Sequence, residues 1–87
     1  MMTMGYRIPA DVEGAALDFM RGRRFTLTEL TARLVDLLPA DAVAERPKLP
    51  ETAASRLVQR ERIAGNVHAT GGAMLPVWPP VWEWKGE

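Results

Sequence analysis

Residues 25–34 read Phe25-Thr26-Leu27-Thr28-Glu29-Leu30-Thr31-Ala32-Arg33-Leu34, and the fold turns on this stretch. Thr26 and Glu29 stand at the spacing of a capping box. In that motif the threonine hydroxyl accepts the backbone N–H three residues on, and the glutamate reaches back to the threonine N–H. Leu27, Leu30, Leu34, Leu37 and Leu38 then recur at helical spacing with Val35 alongside. The spacing predicts an amphipathic helix whose leucine stripe belongs to the core. Pro39 ends it, because proline lacks the N–H that the next hydrogen bond requires. Before the cap, Arg23-Arg24-Phe25-Thr26 reads as a short extended segment.

Toward the N-terminus a first helix is expected from about Asp11 to Arg21. The Asp11 carboxylate can accept the orphan N–H groups of its first turn. Val12, Ala15, Ala16, Phe19 and Met20 share one side. Gly14 costs about 1 kcal/mol of helicity relative to alanine. Gly22 suits a left-handed stop. Residues 1–9 are read as an N-terminal extension, and residues 10–85 as one domain.

Toward the C-terminus, residues 39–50 hold Pro39, Pro47 and Pro50 and read as a connector with one helical turn at 40–45. A third helix, about 51–62, opens at Pro50 or Glu51, which suit the first turn sterically and electrostatically. Ala53, Ala54, Leu57 and Val58 cluster on one side of its wheel. Thr52, Ser55, Arg56, Gln59 and Arg62 cluster on the other, with Arg60 at the border. Glu61 falls in the apolar sector, so the helix is expected to fray or end there. Gly65-Asn66 is a stop signal. Beyond it, Val67-His68-Ala69-Thr70 and Ala73-Met74-Leu75 flank Gly71-Gly72, a two-residue hairpin signal. The tip falls at 70–73 or later, at Pro79-Pro80. Val81-Trp82-Glu83-Trp84 reads as a final short strand.

Composition narrows the class. The chain has 87 residues, 47% hydrophobic and 25% charged, which suits one small globular domain. It has no cysteine, which excludes disulfides and Cys-ligated metal, and one histidine, which excludes a His-rich site. Eleven basic residues balance eleven acidic ones, so no global field draws the chain to nucleic acid. Arginine and alanine abundance reads as the codon bias of a GC-rich bacterial or phage genome. No apolar run approaches the ~20 residues of a membrane helix, and the start lacks a signal-peptide pattern. A cytoplasmic protein without membrane attachment is expected. No phosphate-cradling glycine loop or acid–base constellation is present, and Ser55 has no histidine at local spacing. Neither catalysis nor a cofactor or metal is expected.

The order helix, short strand, helix, helix, hairpin, strand resembles the winged helix-turn-helix family of DNA-binding domains. The stretch 25–34, the stretch Ala53-Ala54-Ser55-Arg56-Leu57-Val58-Gln59-Arg60 and Gly65-Asn66-Val67 carry the resemblance. It departs in the long 39–50 connector and in the prolines Pro76, Pro79 and Pro80. It implies an α+β fold, mostly helical, with a three-helix core and a small C-terminal β-hairpin wing. It also implies a sequence-specific double-stranded DNA-binding protein, a transcriptional regulator, with the third helix in the major groove. Thr52, Ser55, Arg56, Gln59 and Arg62 would then face base edges, since arginine can bridge guanine and glutamine adenine. Arg23, Arg24, Lys48 and Arg60 would meet phosphate, and Thr70 would lie at the wing tip. The bland alternative is a solvated helix, a solvated arginine loop and, at His68, an ordinary hairpin side chain.

Trp78, Trp82 and Trp84 either cap the core or form a dimer or partner surface, because tryptophan is enriched at interface hot spots. A homodimer suits a single module, which buries only ~600–1,000 Å² on DNA. A competing reading, a protein-binding winged-helix adaptor or phage-type inhibitor, uses this Trp/Pro-rich surface and fits the balanced charge.

Overall fold

A computed structural model of the chain describes residues 1–70 and 81–85. The described residues form an α+β fold of four helices and two small antiparallel sheets. In chain order these are β1 (Met2–Thr3), β2 (Tyr6–Arg7), α1 (Ala10–Met20), β3 (Arg24–Thr26), α2 (Leu27–Leu37), α3 (Ala40–Glu45), α4 (Leu49–Ile63), β4 (Val67–Thr70) and β5 (Val81–Trp84).

The capping box forms as its spacing predicts. Thr26 Oγ1 accepts the Glu29 N–H at 3.2 Å, and Glu29 Oε1 accepts the Thr26 N–H at 2.9 Å. Leu30, Leu34 and Leu38 of the leucine stripe are buried, and Leu27 and Leu37 pack partly against them. Val12, Ala16 and Met20 of α1 and Ala53, Ala54, Leu57 and Val58 of α4 complete the helical core. Helix α2 packs against both α1 and α4. Phe25, 1% exposed, anchors β3 in this core. Gly22 and Gly65 take φ of +71° and +84°, the left-handed region in which a chain reversal after a helix favours glycine.

Three expectations need correction. Helix α1 starts at Ala10 and no side chain caps it, where Asp11 was expected as the cap; the short helix expected at 40–45 forms as α3, with Ala42 buried. Helix α4 starts at Leu49 and runs through Glu61 to Ile63. Glu61 does not fray it: Arg60 and Asn66 side chains donate to its carboxylate, so burial leaves no acceptor unpaired there. The ladder partner of β4 is Val81–Trp84, with Thr70 opposite Val81. The Gly71-Gly72 turn, the Ala73–Leu75 segment, the candidate tip at Pro79-Pro80 and Trp78 lie outside the described residues.

Residues 1–9 form the β1–β2 hairpin. It packs on α4, and Thr3 and Ile8 are buried.

The other sheet has the order β3–β5–β4. Arg24, Glu83 and His68 are direct cross-strand partners, so their side chains share one face. Phe25, Trp82 and Ala69 alternate with them and share the other face, together with Val67 and Trp84. Trp82 and Trp84 are half-buried against the core.

Candidate nucleic-acid interface

Helix α4 separates its side chains as its wheel predicts. Leu49, Ala53, Ala54, Leu57 and Val58 turn inward. Ser55, Arg56, Gln59 and Arg62 are exposed, and Thr52 is half-buried at the edge of the same stripe. The helix thus offers solvent a row of hydroxyl, guanidinium and amide groups, each able to meet a base edge or phosphate. Among the described residues, Arg56 and Arg62 take part in no ion pair. Ile63 ends the stripe and is 81% exposed.

The other candidate cations divide into bound and free. Arg60 pairs with Glu13 of α1 and, at 3.2 Å, with Glu61. The Arg60 hydrogen bond and charge hold the Glu13 carboxyl below its ordinary pKa, against the opposing effect of burial; a nearby Met1 amino group, 3.5 Å away, acts in the same direction. Glu13 in turn raises the Arg60 pKa. Arg60 therefore ties α4 to α1. Arg24 donates from Nε to Glu83 Oε2 at 2.7 Å across the β3–β5 ladder. That bond, with the Arg24 charge and a smaller contribution from His68, lowers the Glu83 pKa against desolvation.

Arg23 stacks its guanidinium 4.6 Å over the Phe19 ring, a cation–π arrangement that leaves its N–H groups free to donate. Lys48 is exposed at the start of α4, in no ion pair among the described residues. The Thr70 hydroxyl donates to the Val81 carbonyl at 3.0 Å. Thr52, Ser55, Arg56, Gln59 and Arg62 thus come together on α4. Arg24 lies in the sheet and Arg23 by α1.

Glu13 and Glu83, which decide what Arg60 and Arg24 do, escaped the sequence reading. They lie 47 and 59 positions from their partners, and no local spacing signals such pairs. Among the described residues, no group of three His, Asp or Glu side chains is placed to hold a metal ion. No helix there is long and apolar enough to cross a membrane. No protein-family model, curated protein or solved structure matches this chain.

Proposed function

We propose that this chain is a winged-helix protein that binds double-stranded DNA sequence-specifically, as a transcriptional regulator, with α4 in the major groove. The observation that carries the reading is the α4 stripe. One face of the helix is core, and the other presents Ser55, Arg56, Gln59 and Arg62 to solvent, with both arginines outside any ion pair of the described residues. The element order supports it as well. The C-terminal β4–β5 pair closes on β3, the short strand between α1 and α2, as a wing would close on the helical core.

In this reading Arg56 and Gln59, one turn apart, read adjacent bases, while Lys48 and Arg23 meet the backbone. Arg24 and Arg60 serve the fold first, through Glu83 and Glu13. A homodimer belongs to the same proposal, because one small module has little area with which to reach useful affinity.

The test is titration of the purified chain against random-sequence duplex at low and then moderate salt. Binding that weakens steeply with salt supports the reading, since each neutralised phosphate releases about 0.9 counterion. Absence of binding at low salt overturns it.

One observation favours a second reading, in which the α4 face docks on a protein. Ile63 exposes 81% of its surface at the end of the polar stripe, where an apolar contact would gain from burial. Failure to bind duplex, with capture of a protein partner lost on Ile63→Asp, would select this reading.

A further inference from the structure

A cleft of about 360 Å³ lies between the last turn of α4 and the β4–β5 ladder, and its lining includes Arg62, Gly65, His68, Trp82 and Lys85. Three elements deliver its three basic side chains. Arg62 comes from the end of α4, His68 from β4, and Lys85 from the position after β5. Local geometry brings them together. Gly65 reverses the chain at positive φ, the β4–β5 register sets Val67 opposite Trp84, and the Lys85 N–H donates to the Asn66 carbonyl at 2.8 Å.

All three side chains are exposed, and among the described residues none takes part in an ion pair. No described acidic residue lines the cleft. Three other clefts of the described surface each include a carboxylate: Asp18, Glu83 or Glu13. Glu83 faces the same side of the sheet as His68, but its carboxylate is held by Arg24.

A helix C-terminus ordinarily repels an anion through its unsatisfied carbonyls. Here three of those carbonyls are engaged. The Arg60 carbonyl accepts from the Ala64 N–H, that of Glu61 from Asn66, and that of Arg62 from Gly65. The basic residues that line the cleft carry a guanidinium, an ammonium and an imidazole. These are donors suited to phosphate oxygens.

We infer that this cleft seats a single phosphate of the DNA backbone, held jointly by Arg62 and Lys85 with His68 beside it. The inference rests on the DNA-binding reading and deepens it. Arg62 becomes a backbone contact that fixes the register of α4, and base reading falls to Arg56 and Gln59. Lys85, from outside the helix, becomes part of the interface. The shared chemistry is phosphate, which a duplex backbone or a free phosphate ion can supply.

The test measures duplex affinity of the full chain across ionic strength. Because two cations share one phosphate, the double variant Arg62→Gln/Lys85→Gln should lower the slope of log K against log salt by about 0.9. Arg7→Gln, which removes one positive charge from the β1–β2 hairpin, should leave the slope as it is. An unchanged slope in the double variant overturns the seat. A loss of about twice that size shows two separate phosphate contacts and overturns the shared seat. A wild-type chain that binds no duplex at low salt overturns the DNA-binding reading and the seat with it.

A second arm separates the sources of phosphate. The His68 imidazole signals are followed by NMR while duplex, or sodium phosphate at matched ionic strength, is added. Signals that move with duplex at concentrations where inorganic phosphate leaves them in place support the backbone assignment. Equal movement with inorganic phosphate identifies a free-ion site and overturns it.

Discussion

Asn66 closes the end of α4 by holding Glu61 at two points. Its side-chain amide donates to Glu61 Oε1 at 3.2 Å, and its backbone N–H donates to the Glu61 carbonyl at 2.8 Å. With the Arg60 Nε, 3.2 Å from Oε2, these bonds let a carboxylate that is only 9% exposed sit at the edge of the core. The same bonds direct the chain from α4 into β4, and so set where His68 and Lys85 stand relative to the helix.

Glu61→Ala removes the acceptor for Asn66 and one acceptor of Arg60. The expected loss is about 1–3 kcal/mol, the usual cost of leaving partly buried donors unpaired. Glu61→Gln keeps an acceptor for the Asn66 amide and should lose less. Urea unfolding followed by tryptophan fluorescence reads both, and equal stability of all three proteins would refute the role given to this pair.

Acid should loosen the link between α1 and α4. The Arg60 bond holds the folded Glu13 pKa below its ordinary 4.5, so ionised Glu13 favours the folded state. That contribution is complete above the unfolded pKa, near 4.5, and is lost as pH falls through the lower folded value. Glu13→Gln should therefore be less stable than wild type at pH 7, with the difference shrinking below pH 4.5. Thermal unfolding at a series of pH values measures it. A pH-independent difference would mean that the Glu13 charge contributes nothing.

Thr26→Ala should destabilise the fold by about 1 kcal/mol, because the α2 N-terminus loses the acceptor for the Glu29 N–H. Thr26→Ser keeps an oxygen at the same place and should restore most of the loss. Denaturant midpoints compare the two, and a serine variant no better than alanine would assign the effect to packing instead.

Specificity and salt dependence should separate by residue. On a selected duplex, Arg56→Ala and Gln59→Ala should each cost about 1–3 kcal/mol and relax preference at one base position. Arg24→Gln should change the salt slope far less than Arg23→Gln, because Glu83 already neutralises Arg24. Binding-site selection with each variant reads the first effect, and salt titrations read the second. A larger slope change for Arg24→Gln than for Arg23→Gln would show that its ion pair opens on binding.

Local signals carried the helices. Thr26 and Glu29 are three positions apart, and both ends of α2 could be placed from them and from Pro39. The α4 stripe was legible for the same reason: with 3.6 residues per turn, the sequence alone separates Ser55, Arg56 and Gln59 from Ala54, Leu57 and Val58. The Glu61 position was misread because a wheel reports direction and not partners. A glutamate in an apolar sector argues for fraying only until Arg60 and Asn66 are seen to satisfy it.

The sequence by itself determined that α1, α2 and α4 form, the capping box of α2, and which face of α4 meets solvent, since these depend on bonds and spacings within a few residues. Tertiary structure alone decided which of the solvent-facing cations stay free. Arg60 is matched by Glu13 and Arg24 by Glu83, while Arg62 and Lys85 line one cleft and take part in no ion pair among the described residues. The reason is that charge neutralisation is set by distance in space, and packing of α1 on the core and pairing of β3 with β5 bring together groups that no local period relates.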